Sequence, residues 1–63
     1  MSSVDAVVAN CDFLNVRQKP ENGSAVVTAL PAGTEVVILD VNGGWRLITN
    51  GAVEGWVYYK YLV

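Results

Sequence analysis

The sequence predicts an all-β domain, a small barrel of five to six short antiparallel strands with room for a single 3-10 turn near the C-terminus. Runs of β-branched and aromatic residues recur at short intervals, and three Asn-Gly pairs, Asn22-Gly23, Asn42-Gly43 and Asn50-Gly51, punctuate them. Such pairs supply the positive φ values that tight turns demand. No long window places apolar residues at helical spacing without a Gly or Pro breaking it. Short strands at this spacing mean a sandwich or a barrel, and in 63 residues closing the sheet is the economical way to remove its exposed edges.

The first expected strand is Val4 to Val8, after a short tail, Met1-Ser2-Ser3. The second, Phe13 to Arg17, alternates Leu14 and Val16 with Asn15 and Arg17, so one pair can face the core while the other faces out. Ala25 to Leu30 follows, with Pro20 and Pro31 read as loop residues. Thr34 to Val41 is apolar on both faces in its middle and is expected to bend through the barrel. Asn42-Gly43-Gly44 then turns the chain into Trp45 to Thr49, and Asn50-Gly51 turns it again into Gly55 to Tyr58. Tyr58-Tyr59-Lys60-Tyr61 is long enough only for one 3-10 turn. Gly33 and Gly55 fall where a turn or tight bend needs a residue without Cβ.

Composition bounds the function. With 52% hydrophobic and 16% charged residues the chain is expected to fold, although a domain of this size buries only about 60% of its unfolded surface. The net charge of −2 argues against nucleic acid and anionic membrane, which need clustered Lys and Arg. Arg17, Lys19, Arg46 and Lys60 are scattered. Cys11 is the sole cysteine, so no internal disulfide can form; it reads as a small apolar residue in a strand. No stretch approaches the ~20 apolar residues of a membrane span.

The inventory speaks against catalysis by this domain itself. The chain has no His, and its three serines, Ser2, Ser3 and Ser24, fall in tail or loop. Asp40 and Glu54 are placed to meet across a hairpin, yet acid or base work needs a sheltered cleft that a small barrel lacks. Asp40-Val41-Asn42-Gly43-Gly44 begins like a calcium loop, but the twelfth position from Asp40 is Gly51 where a bidentate Glu is required. No metal site and no cofactor are expected. Asn22-Gly23-Ser24 fits a glycosylation sequon, a pattern that arises often by chance.

Four pieces in fixed order resemble the bacterial SH3 (SH3b) domain. Leu14-Asn15-Val16-Arg17 followed by Pro20 is similar to that family's opening. Val26-Val27-Thr28-Ala29-Leu30 with Ala32-Gly33-Thr34-Glu35-Val36 is similar to its middle. Gly43-Gly44-Trp45 with Ile48 resembles its Gly-Trp strand, and Gly55-Trp56-Val57 ending in Tyr61-Leu62 its close. The resemblance runs from about Val4 to Val63 and implies an SH3-like barrel. The tail from Gly55 to Leu62 also looks like the ending of eukaryotic SH3 domains, with Tyr58 where those have proline, a departure that points away from recognition of proline helices.

Five of the six aromatic residues, Trp45, Trp56, Tyr58, Tyr59 and Tyr61, fall within residues 45–63. If Ile48 fills the core, alternation turns Trp45 outward, and an exposed Trp beside tyrosines makes a rigid platform for binding. Trp56, within Gly-Trp-Val, reads as structural. The resemblance implies a groove between residues 18–24 and 41–44, so the candidate ligand-binding residues are Trp45, Tyr58, Tyr61, Glu21 and Asn42.

The reading is a monomeric, non-catalytic targeting module for peptidoglycan stem or cross-bridge peptides, compatible with a fragment of a larger cell-wall hydrolase, as the resemblance implies. The alternative is an interaction or assembly domain that takes a protein segment or a second copy of itself on the same groove or on an unpaired strand edge. An RNA-binding barrel is disfavoured by charge. Extracellular or envelope localisation is expected if the domain belongs to a longer exported protein, and cytoplasmic if Met1 is the native start.

Overall fold

The computed structural model describes residues 4–63, and the expected tail, residues 1–3, lies outside them. Six strands form: β1 (Ala6–Val7), β2 (Phe13–Arg17), β3 (Val26–Pro31), β4 (Glu35–Asn42), β5 (Trp45–Thr49) and β6 (Glu54–Tyr58), followed by a 3-10 turn, η1 (Tyr59–Tyr61). They make one antiparallel sheet in the order β1-β4-β5-β6-β2-β3. The all-β barrel prediction therefore holds, with six strands.

The alternation in β2 works as its sequence implies, with Leu14 6% and Val16 0% exposed. They join Ala6, Val8, Leu30, Val36, Ile48 and Val57 in one core of small aliphatic side chains, against which Cys11, Ile38, Val53 and Leu62 pack. The first element is shorter than expected, two residues flanked on both sides. Ala6 and Val7 pair with Val36 and Glu35 of β4, and on the other side Val7 exchanges two 2.9 Å backbone hydrogen bonds with Val63 while Val8 bridges Leu62. Those bonds tie β1 to the C-terminal residues.

Several local expectations are corrected. Pro31 ends β3 opposite Phe13 instead of lying in a loop; β3 is an edge strand, where a missing N–H costs least. Cys11 sits in the bend before β2, its thiol donating to the Ala9 carbonyl at 3.3 Å. The bend in β4 is a β-bulge at Leu39, since Ile38 pairs with Ile48 but Asp40 with Leu47. Beyond it β4 is exposed on both faces, Leu39 at 48% and Val41 at 56%.

Asn42 is a strand residue, paired with Trp45. The two-residue turn is Gly43-Gly44, and positive φ at Gly43 alone (60°) gives it the type II′ pattern. The β5–β6 turn depends on Asn50, whose Oδ1 accepts from the Ala52 and Val53 N–H groups, both at 2.9 Å. Asn50→Ala strands these donors on an exposed turn and should cost about 1 kcal/mol. Thermal unfolding should show a loss of roughly 4–8 °C, and Asn50→Asp, which keeps the acceptor, should restore most of it.

Candidate functional site

The pleat decides which side chains face out. Ile48 and Val57 are fully buried, so residues of opposite parity, Trp45 and Leu47 on β5 and Trp56 and Tyr58 on β6, project from the other face of the sheet. Register aligns them in two rows across the strands. One row is Asn42, Trp45 and Tyr58; the other is Asp40, Leu47, Trp56 and Arg17.

Trp45 and Tyr58 meet edge to face, with ring centroids 5.5 Å apart at 75°. Tyr58 in turn lies 5.1 Å from Tyr59 at 48°. The Arg46 guanidinium carbon is 5.7 Å from the Tyr59 ring centroid. This stack is anchored by backbone, because the Tyr59 N–H donates to the Gly44 carbonyl at 2.9 Å. Gly44 also leaves the space that Tyr58 fills, since a Cβ there would come 2.8 Å from Tyr58 Cε1. Trp45, Trp56 and Tyr58 are all half-buried, so the rings are held by neighbours yet keep faces open to solvent.

Of the sequence-predicted site residues, Trp45, Tyr58 and Asn42 come together in one row. Tyr61 sits on η1, where its carbonyl accepts from the Ala9 N–H at 2.8 Å; the residue is 38% exposed and its ring joins none of the stacked pairs. Glu21 lies in the β2–β3 connection with local bonds only, its N–H to the Lys19 carbonyl and its carbonyl from the Ser24 N–H. That loop is fastened to β2 by Arg17 Nη1, which donates to the Ser24 carbonyl at 2.9 Å.

Trp56 departs from the structural reading. It takes no place in the core and belongs to the outward strip beside Leu47 and Arg17. Its parity with Tyr58 carried that signal in the sequence. Tyr59 and Arg46 are further members that sequence reasoning missed. Asp40 and Glu54 do not meet, because β5 lies between their strands and pairs them with Leu47 and Thr49.

A hollow of about 360 Å³ opens away from the strip, at the opposite end of β5, lined by Val4, Glu35, Val37, Thr49 and Asn50 among others. It contains no aromatic ring. Among the described residues no cluster of three or more His, Cys, Asp or Glu is placed to hold a metal, and no helix is long and apolar enough to cross a membrane.

Residues 12–63 match the family model of the bacterial SH3 domain. The chain belongs to this family. Six of the core residues, Leu14, Val16, Leu30, Val36, Ile48 and Val57, fall within the bacterial SH3 match, whereas Ala6 of β1 and Val8 just after it precede the match and complete the core. The domain is 36% identical over 50 residues to "Putative N-acetylmuramoyl-L-alanine amidase YrvJ" of Bacillus subtilis (strain 168), covering 79% of this chain and 10% of that protein. The chain thus spans about a tenth of that relative's length. No solved structure matches it.

Proposed function

We propose that this bacterial SH3 domain is a non-catalytic module that holds peptidoglycan peptides against its outward aromatic strip. The observation that carries this reading is the strip itself, Trp45 packed edge to face on Tyr58 with Trp56 in the next row, on the face of the sheet away from the core. Rigid rings on a strand scaffold lose little entropy when a ligand settles on them. A peptide of short side chains can lie across their faces while its backbone finds polar partners at the rim. Asn42 is in register beside Trp45, and Tyr61 and Glu21 are assigned to the rim.

The amidase named in the comparison supports a wall ligand, and the sequence holds no His to serve a nucleophile. Within a longer exported protein the domain would act at the envelope by raising the effective concentration of a catalytic neighbour near its substrate, without chemistry of its own.

Titration of the labelled domain with soluble stem peptides and with glycan fragments, followed by NMR, tests the assignment. Shifts should saturate with stem peptide and concentrate on Trp45, Trp56, Tyr58 and Asn42. Shifts confined to the hollow around Val37 and Thr49 would move the site to the other end of β5.

A further inference from the structure

Arg46 ends the aromatic stack in a way that packing alone does not require. Its Nη1 donates to the Gly43 carbonyl at 2.8 Å and to the Trp45 carbonyl at 3.1 Å, and its guanidinium lies over Tyr59. One nitrogen is thereby committed to backbone and the plane of the group is fixed at the hairpin tip. Nε and Nη2 keep their donors unpartnered among the described residues, and no carboxylate of the chain pairs with Arg46 there.

The geometry points to Arg46 as the residue that recognises a carboxylate on the ligand. A guanidinium presents its donors as a planar fork that matches a carboxylate in bidentate fashion. Here the fork is already oriented by two carbonyls and a ring, so capture costs little side-chain entropy. Arg46 leaves its strand on the face of Ile48 and reaches the strip around the hairpin tip through Tyr59, whose ring lies 5.1 Å from Tyr58. A peptide on Trp45 and Tyr58 that continues past Tyr59 therefore meets it. The substrate class is therefore a wall peptide with a free carboxylate, as opposed to one whose carboxyl groups are amidated or cross-linked. This inference rests on the wall-binding reading above.

The test uses sacculi freed of phosphate polymers, so that peptide carboxylates are the anions present, and the same sacculi after carbodiimide coupling of those carboxylates to methylamine. The unaltered domain should bind the untreated sacculi at least about tenfold more tightly than the amidated ones, the scale of one charge-assisted pair. Arg46→Gln should bind both alike and weakly. Arg46→Lys, which keeps the charge but lacks the fork, should fall between.

Equal binding of the unaltered domain to both preparations would overturn the carboxylate inference and leave the wall reading standing. Binding to neither would overturn the wall reading and this inference with it. Because the comparison between sacculi needs no substitution, it decides the matter even if Arg46→Gln loosens the hairpin it helps to tie.

Discussion

Gly55→Val is expected to abolish folding at ambient temperature. Gly55 of β6 pairs with Ile48 of β5 and is next to Trp56, which joins β6 to β2. A Cβ at Gly55 would collide with the Val16 Cγ1 methyl and lie 2.9 Å from the Arg17 carbonyl oxygen. Neither neighbour can give way cheaply. Val16 is fully buried, and the Arg17 backbone forms the register pair with Trp56 that joins β2 to β6.

One inserted methyl in a packed core costs roughly 1–3 kcal/mol, so Gly55→Ala should lower the melting temperature by on the order of 10 °C in a domain this small. The bulkier valine should exceed what a marginally stable domain can absorb. Circular dichroism and urea titration read the result. A cooperative transition for Gly55→Val within a few degrees of the unaltered domain would mean that β2 and β6 are not in close contact at this glycine.

The second large effect is on binding. Trp45→Ala should weaken attachment to sacculi by at least about tenfold, because truncating a central Trp anchor commonly costs 2 kcal/mol or more. Its effect on stability should be smaller. Trp45 stands outside the buried core, and its edge-to-face contact with Tyr58 is worth about 0.5–1.5 kcal/mol beyond area burial. Calorimetric unfolding alongside a binding isotherm separates the two. Loss of stability with unchanged binding would return Trp45 to a purely structural role.

The fold was legible in the sequence where local pattern decides it. Period-two alternation places Leu14 and Val16 inward, and the sequence around Gly55 asks for a residue without Cβ, although the reason, contact with Val16 from another strand, is not local. What escaped depends on partners distant in the chain. β1 keeps β4 on one side and takes the C-terminal residues on the other, Val7 bonding Val63 and Val8 bridging Leu62. Asn42 joins the strand because two consecutive glycines can make the turn without it.

The site was legible in part for the same reason. Trp45 and Tyr58 could be placed from strand parity, and the hairpin register that pairs them also brings Leu47 opposite Trp56. The sequence Gly-Trp-Val looked like core, but parity with the buried Val57 puts Trp56 on the opposite face. Arg46 could not be assigned in advance, since its place over Tyr59 depends on how η1 turns back onto Gly44.

An unpaired edge remains at β3, where Val26 and Val27 are 49% and 48% exposed. It is the surface on which a protein segment would add a strand. Binding by that route would leave the aromatic strip uninvolved, and so the two routes separate by substitution.

Co-sedimentation of the purified domain with bacterial sacculi tests the central claim most directly. The account predicts saturable pelleting that disappears when Trp45, Trp56 and Tyr58 are replaced together by alanine in a variant verified as folded. A domain that stays in the supernatant, or a folded triple variant that pellets as the unaltered one does, would contradict it.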